Sequence, residues 1–92
     1  MITSFLCRDT EALLNGIRVP RFQNIESVAV RKLQQLHAAT NLQALRIPPG
    51  NRLEPLQGDR LGQYSIRIND QWRVCFKFQG GNAQDVEIVD YH

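Results

Sequence analysis

The spacing of apolar residues changes from helical to strand-like partway along this chain. Apolar side chains recur at three- or four-residue spacing from Ile25 to Leu36, which predicts a helix running to about Ala39. Asn24 stands just before this stretch and suits the N-cap position of such a helix. The prolines and the glycine within residues 47–51 then end the helical pattern.

The start of the chain predicts two short elements. Residues 2–7 are typical of a strand, and residues 9–16 are typical of a helix. Asp9 or Thr10 suits the start of this helix, and Gly16 suits its end because glycine tolerates a left-handed backbone.

Beyond residue 51 the apolar residues alternate with polar ones, which is the period of a β-strand. The extended segments are residues 52–56, 63–69, 72–78 and 85–92. Pro55 assigns the first of them to a sheet edge, since proline cannot donate to a ladder. Because helices precede strands, we expect an α+β fold, with two N-terminal helices packed on one face of a mainly antiparallel sheet. A chain of 92 residues predicts a single domain, residues 1–92.

The register of the first hairpin follows from keeping apolar residues on one face. A short turn at residues 69–71 pairs Ile66 with Val74 and places Arg67 directly opposite Arg73. Two like charges in that position destabilise a sheet. An anion bound between them would relieve the repulsion, which favours an anion site here; the alternative is that both long side chains splay into water.

The second hairpin extends the same face. The expected pairs are Val74 with Ile88, Phe76 with Val86, Arg73 with Val89, Cys75 with Glu87, and Lys77 with Asp85. Tyr91 then lies diagonally next to Arg73, Asp90 points to the opposite face, and His92 can turn toward the arginines.

The resulting polar face predicts chemistry on a phosphodiester. Arg67 and Arg73 can stabilise phosphate charge, because guanidinium groups match phosphate geometry. His92 is a candidate acid or base near neutral pH, and Tyr91 can transfer a proton or stack on a base. Such a set suits RNA cleavage without a metal, in which a base deprotonates the ribose 2′-hydroxyl and an acid protonates the leaving oxygen.

Composition limits the classes of protein to which this chain can belong. Hydrophobic residues make up 42 % and charged residues 22 %, as in an ordinary soluble globule. No run approaches the ~20 apolar residues of a membrane span, and no signal peptide is recognisable, so a cytoplasmic protein is expected. Cys7 and Cys75 show no metal-binding spacing, and neither do the two histidines, His37 and His92. We therefore expect no metal and no other cofactor.

Charge is unevenly distributed despite a net value of +2. Residues 18–73 hold nine basic and four acidic residues, and most of the basic ones are arginine. Such a basic stretch permits contact with nucleic acid, although it is equally consistent with a solvated surface.

Two stretches carry a family resemblance that covers nearly the whole chain. "GDRLGQYSIRINDQWRVCFKF" and the terminal "VEIVDYH" together resemble the HigB branch of the RelE/ParE toxin superfamily. The resemblance implies two helices on an antiparallel sheet and a metal-independent mRNA endonuclease that acts in the ribosomal A site. It also implies a HigA-type helix-turn-helix antitoxin, through which the toxin contacts operator DNA indirectly and represses its own operon. No membrane contact is implied.

The resemblance assigns roles to individual residues. Arg73 matches the phosphate-binding cation, and Asp90, Tyr91 and His92 match the C-terminal functional group of the family. Relatives carry a histidine and a lysine around the proline-leucine step, where this sequence has Glu54 and Gln57.

The two substitutions alter the expected site. Glu54 can act as a base but repels phosphate, whereas Gln57 donates a hydrogen bond without charge. Arg52 or Arg60 can compensate for the missing lysine, or contact ribosomal RNA or the antitoxin. We accordingly expect RNA contacts from Arg67, Arg60, Gln57 and Arg52, and a weak toxin or one with shifted target preference.

Two alternatives stay open. The chain could inhibit by binding DNA gyrase, as ParE-like members of the superfamily do, or it could be a non-catalytic member that only binds antitoxin and tunes repression. The Asp90-Tyr91-His92 group argues against the gyrase alternative.

Overall fold

The computed structural model describes residues 1–90; Tyr91 and His92 lie outside the described residues. Two α-helices precede four strands. The elements are α1 (Arg8–Leu14), α2 (Glu26–Ala38), β1 (Glu54–Pro55), β2 (Tyr64–Arg67), β3 (Trp72–Gln79) and β4 (Asn82–Asp90). Short 3-10 turns lie at Pro20–Ile25, Leu42–Arg46, Pro49–Asn51 and Gly58–Arg60. The order of helices and strands agrees with the α+β prediction.

The strands form one antiparallel sheet in the order β1-β2-β3-β4. Ile66 lies opposite Val74, and Arg67 lies opposite Arg73, which confirms the predicted register of the first hairpin. The turn is fixed by Asn69, whose side-chain oxygen accepts hydrogen bonds from the backbone of residues 71 and 72, both at 2.8 Å.

The second hairpin departs from the predicted register beyond Cys75. The pairs Arg73–Val89, Val74–Ile88 and Cys75–Glu87 are confirmed. A β-bulge then shifts the register, so that Lys77 lies opposite Gln84 and not opposite Asp85. The pairing predicted for Lys77 is therefore wrong, although its ammonium still lies 3.4 Å from the Asp85 carboxylate.

The bulge is held by the start of the chain. Asp85 has a left-handed backbone, with φ of 53°, and its N–H donates to the Ser4 hydroxyl at 2.8 Å. Val86 in turn donates its N–H to the Ser4 carbonyl at 3.1 Å. The extra residue is thus stabilised by a segment that is remote in sequence.

The predicted strand over residues 2–7 is not formed as such. These residues instead make isolated parallel bridges to β4, Ile2 with Ala83 and Phe5 with Val86. They cover the outer edge of β4, which limits the pairing of that edge with other chains.

Both helices begin differently from the prediction. Helix α1 starts at Arg8 with Cys7 at the N-cap position and no side-chain cap, so neither Asp9 nor Thr10 caps it. Asn24 is not the N-cap of α2 either, because the 3-10 turn Pro20–Ile25 runs directly into that helix.

The end of α1 agrees with the prediction. Gly16 has φ of +81°, and the N–H groups of Gly16 and Ile17 donate to the carbonyls of Leu13 and Ala12, at 3.0 and 2.9 Å. This hydrogen-bond pattern is a Schellman motif, which requires a left-handed residue.

The hydrophobic core contains side chains from both α2 and the sheet. Leu33 and Leu36 of α2 are completely buried in one hydrophobic cluster with Ile66 and Val74. Burying each leucine contributes about 1.5–3 kcal/mol relative to leaving it in water. Trp72 packs against this cluster, and its ring meets that of Phe22 edge-on at 5.4 Å between ring centres.

A buried amide ties the segment after α2 back to that helix. Asn51 has no exposed surface. Its Nδ2 donates to Gln35 at 3.0 Å and to the Leu45 carbonyl at 3.1 Å, and its Oδ1 accepts from the Lys32 ammonium. Burial, with a smaller contribution from the Arg31 charge, lowers the pKa of Lys32 below its usual value. Arg52 follows directly, so its position is set by these contacts.

Candidate active site

The sheet face opposite the core carries the polar side chains of the predicted site, and we call it the polar face. Register places Glu54, Ser65, Cys75 and Glu87 in one row across β1 to β4. Arg67, Arg73 and Val89 form the neighbouring row. Six of these seven positions hold residues that can carry charge or form hydrogen bonds.

Arg73 is the most enclosed cation of the polar face, with only 8 % of its surface exposed. Its Nε donates to the Ser65 hydroxyl at 2.8 Å, and its Nη2 donates to the Arg52 carbonyl at 2.8 Å. The same Nη2 lies 3.5 Å from the Glu54 carboxylate. The guanidinium group is therefore directed across β2 toward β1.

Arg67 is directed elsewhere. Its Nη2 binds the carboxylate of Asp70 in the hairpin turn. Each arginine thus has a protein carboxylate as a partner, Asp70 for Arg67 and Glu54 for Arg73, which offsets part of the predicted repulsion. The anion site predicted between them stays a prediction.

Glu54 and Gln57 flank the end of β1. Glu54 is half exposed beside the Arg73 guanidinium, which orients its carboxylate on the polar face. Gln57 is exposed, and its backbone carbonyl accepts from the N–H of Arg60 at 3.2 Å. Of these two residues, only Glu54 has a described contact with the Arg73 side chain.

Arg52 contributes its backbone to the site. Its φ is 47°, a left-handed conformation that non-glycine residues rarely adopt. This turn directs the Arg52 carbonyl to Arg73, while the Arg52 side chain is exposed.

Arg60 spans the polar face from the loop after β1. Its Nη1 donates to Glu87 at 2.8 Å and to Gln63 at 3.1 Å. Cys75 is completely buried between Ser65 and Glu87. Burial raises the pKa of the Cys75 thiol; the nearby charges of Arg60, Glu87 and Arg73 act in opposite directions and do not cancel that effect.

The C-terminal candidates are only partly described. Asp90 pairs with Trp72 across the sheet and therefore lies on the core side, as predicted. Its Oδ2 accepts from Gln71 Nε2 at 3.1 Å. Tyr91 and His92 are outside the described residues, so their predicted positions stay predictions.

Sequence reasoning missed three features of this arrangement. Ser65 and the Arg52 carbonyl hold Arg73, and Glu87 holds Arg60. A small polar residue between Tyr64 and Ile66 was the available signal for Ser65, since a small side chain lets a long one lie across it. The Arg52 carbonyl left no sequence signal, because any residue carries one.

A surface cleft of about 490 Å³ lies beside the start of α2. Its lining residues are Arg18, Gln23, Asn24, Glu26, Ser27 and Val30. None of them is a predicted site residue, so the cleft and the polar face are separate features. Within residues 1–90, no helix has the length and apolar character needed to cross a membrane.

Two helices beside a four-stranded antiparallel sheet define the RelE-like toxin fold, and solved structures share it. The chain superposes on a chain of the heterotetrameric YoeB–YefM toxin–antitoxin complex from Staphylococcus aureus with a TM-score of 0.61, at 18 % identity over 100 % of this chain and 98 % of that one. A mutant of YafQ from E. coli gives a TM-score of 0.57, at 15 % identity over 98 % of this chain and 93 % of that one. At such identities these likenesses establish the fold alone.

The sequence assigns the chain to one family within this fold. Residues 17–92 match the family model for the RelE-like toxin HigB of type II toxin–antitoxin systems. The protein belongs to this HigB-like toxin family.

Curated relatives agree with that membership. The chain is similar to toxin HigB-1 of Vibrio cholerae, with 48 % identity over 65 % of this chain and 63 % of the relative. It is also similar to endoribonuclease HigB of Proteus vulgaris, with 38 % identity over 66 % of this chain and 65 % of the relative. The chain thus spans slightly less than two thirds of the length of each.

Proposed function

We propose that this protein is a toxin that cleaves mRNA on the ribosome without a metal ion, and that residues 1–92 fold as a single toxin domain. The supporting observation is the pair formed by Arg73 and Glu54, which puts an anchored cation 3.5 Å from a half-exposed carboxylate. A phosphodiester needs both a cation for the developing negative charge and a base for the 2′-hydroxyl. The name endoribonuclease, carried by the relative from Proteus vulgaris, points the same way.

The proposed reaction is an internal transfer of the phosphoryl group. Glu54 or His92 removes the proton from the 2′-hydroxyl, and that oxygen attacks the adjacent phosphorus. The bond from phosphorus to the 5′-oxygen breaks, and His92 or Tyr91 supplies the proton to the leaving oxygen. Arg73 stabilises the charge on the non-bridging oxygens, which grows in the transition state.

The surrounding residues are proposed to bind RNA. Arg67 and the exposed side chains of Arg52 and Gln57 lie around the polar face, where they can contact phosphates and sugars. Arg60 is paired with Glu87, so we assign it to shaping this face as well as to binding. Asp90 is assigned a supporting role, because its pairing directs it to the core side.

The helices leave this face accessible in our proposal. We infer that α1 and α2 both pack on the core side. Thr10 of α1 accepts a hydrogen bond from the Ile88 backbone at 3.0 Å, and Leu33 of α2 joins the cluster beneath Ile66.

The partners follow from the family. We propose a HigA-type helix-turn-helix antitoxin, the ribosomal A site with its mRNA, operator DNA reached through the antitoxin, and a cytoplasmic location. Complexes such as YoeB–YefM support an antitoxin partner. A small helix-turn-helix protein encoded beside this gene should therefore copurify with the toxin and relieve its growth arrest.

Cut sites mapped on ribosome-bound mRNA test the nuclease proposal. The wild-type protein should cut, and Glu54→Gln or His92→Ala should lower the rate by about 10²–10⁴-fold. Glu11→Gln is a matched control, because Glu11 is exposed on α1, far in sequence from the polar face. Intact mRNA with wild-type protein contradicts the proposal. A change in plasmid supercoiling would then favour gyrase binding, and absence of growth arrest would favour a non-catalytic corepressor.

A further inference from the structure

The Arg73 side chain takes an unusual path across the polar face. Its direct neighbour on β2 is Arg67, yet its guanidinium group lies over Ser65, two positions away along that strand. Ser65 is completely buried, and Arg73 is 8 % exposed. The path exists because serine is small, and its hydroxyl accepts the Nε–H at the point where the arginine crosses.

A second contact fixes the far edge of the guanidinium group. Nη2 donates to the Arg52 carbonyl at 2.8 Å, in a direction set by the left-handed backbone of Arg52. The neighbouring Asn51 is buried and bonded to α2 through Lys32 and Gln35. The carbonyl is thereby held by the helical layer and does not depend on a mobile loop.

Two hydrogen bonds from one planar group determine both its position and its orientation. The Ser65 hydroxyl controls rotation about the aliphatic stem, and the Arg52 carbonyl controls the tilt of the plane. Without them, a flexible arginine beside Glu54 would be free to form a two-point ion pair with that carboxylate. The observed geometry has Nη2 at 3.5 Å from Glu54, a looser contact than a direct charged hydrogen bond.

We propose that Ser65 is a positioning residue for catalysis, which together with the Arg52 carbonyl clamps the Arg73 guanidinium group beside Glu54. This inference rests on the proposed nuclease function and deepens it. Ser65 does not touch the substrate; it holds the cation where the transition-state phosphate needs it and keeps Glu54 from becoming a tight partner of that cation.

The test combines kinetics on programmed ribosomes with NMR of the arginine side chain. The Ser65→Ala variant still leaves room for the Arg73 side chain to cross β2, but it lacks the hydroxyl that accepts the Arg73 Nε–H. The single-turnover rate constant should fall about tenfold to a hundredfold, because misplacing a catalytic group by about 1 Å costs that much. The toxin concentration at half-maximal rate should change little, since phosphate contacts outside the clamp are kept.

The NMR arm reports the clamp without any reaction. A hydrogen-bonded, buried Nε–H exchanges slowly with water, so wild-type Arg73 should give a protected signal. Arg73→Lys assigns that signal by removing it. Ser65→Ala should abolish the protection, and Ser65→Thr, which keeps the hydroxyl, should restore both protection and cleavage. Ser27→Ala, on the exposed side of α2, is the matched control for removing a serine hydroxyl.

The outcomes separate the two proposals. The positioning role is overturned if the wild-type protein and the Ser65→Ala variant cleave mRNA equally fast. It is also overturned if the protected Arg73 signal persists in the Ser65→Ala variant. Wild-type protein that leaves ribosome-bound mRNA intact contradicts the nuclease function instead.

Discussion

Arg67 and Arg73 lie directly opposite each other on β2 and β3, yet their guanidinium groups reach different carboxylates, Asp70 and Glu54. The two ion pairs differ in their surroundings. The Asp70 side chain is 99 % exposed, so its pair with Arg67 is screened by water and adds little stability. The side chain of Arg73 is only 10 % exposed, which makes its hydrogen bonds matter more.

Replacing each arginine by lysine should therefore have unequal effects. Arg73→Lys keeps the charge but cannot bond Ser65 and the Arg52 carbonyl in the same fork geometry. We expect mRNA cleavage on ribosomes to slow by about a hundredfold, as for the loss of one preorganised donor. Arg67→Lys is the matched control and should slow it far less. Equal rates for the two variants would contradict the distinction between these arginines.

Asn51 should be the most sensitive polar position for stability. Asn51→Ala leaves the Lys32 ammonium and the Leu45 carbonyl without their described partner. We expect a loss of up to about 3 kcal/mol in the free energy of unfolding, because an unsatisfied buried group such as the Leu45 carbonyl costs about 1–3 kcal/mol. Urea titration followed by Trp72 fluorescence measures it, since Trp72 packs on Phe22.

An exposed asparagine provides the comparison for that experiment. Asn41 accepts a hydrogen bond from the Ala44 backbone at 3.0 Å at the start of a 3-10 turn. Asn41→Ala should cost about 1 kcal/mol, the usual value for a cap. If Asn51→Ala were no worse than Asn41→Ala, the buried network would not be needed to hold residues 42–51.

The Cys75 thiol should make stability depend on pH in the alkaline range. Burial raises its pKa in the folded protein above the usual value of 9.0. Between those two values the unfolded thiol loses its proton while the folded one keeps it, so stability falls as pH rises. Below the usual value both forms are protonated and the contribution is complete.

Unfolding measured from pH 7 to pH 11 checks this sign. Cys75→Ala should reduce the alkaline fall in the free energy of unfolding, whereas Cys7→Ala should not. For Cys7, burial raises the pKa but hydrogen bonds with Thr10, Asp9 and Arg21 lower it overall. Identical alkaline slopes for the wild type and Cys75→Ala would show that the buried thiol does not titrate as described.

Glycine should be required at position 16 because of its backbone conformation, and not because a side chain would lack room there. A Cβ at Gly16 meets nothing within 4 Å, but φ is +81°. Gly16→Ala should therefore destabilise the protein by about 1 kcal/mol, the strain of a left-handed residue with a side chain. Gly50→Ala is the matched control: its Cβ also meets nothing within 4 Å and its φ is not positive. Thermal unfolding of both variants decides between backbone strain and a packing effect.

The sequence predicted those parts of the sheet that depend on local rules. The first hairpin has a short turn, so alternation alone determined that Arg67 faces Arg73. The same rule failed at Asp85, because its left-handed backbone is stabilised by Ser4, 81 positions away. Asparagine commonly caps helices, which favoured Asn24 as the N-cap of α2. Helix α2 instead continues directly from the 3-10 turn Pro20–Ile25.

The sequence predicted which charged residues belong to the candidate site, but it did not predict how their side chains are arranged. Arg73 and Glu54 were identified from alternation and family resemblance, and the structure brings them together. Their supports, Ser65 and the Arg52 carbonyl, depend on which side chain crosses which strand. The roles of Tyr91 and His92 stay predictions, as do those of the RNA-binding residues.

The covering of β4 by residues 1–6 has a consequence for how the protein is made. These contacts join residues 80 or 81 positions apart, such as Thr3 with Ala83 and Ser4 with Asp85. Closing so long a loop is slow, and residues 1–6 cannot dock until β4, which follows them by about 80 positions, has been synthesised. Docking of β4 therefore completes the row that contains Glu87 and covers the outer edge of β4 in the same event. A nascent chain that has not reached this event lacks the completed polar face and exposes an edge that can aggregate.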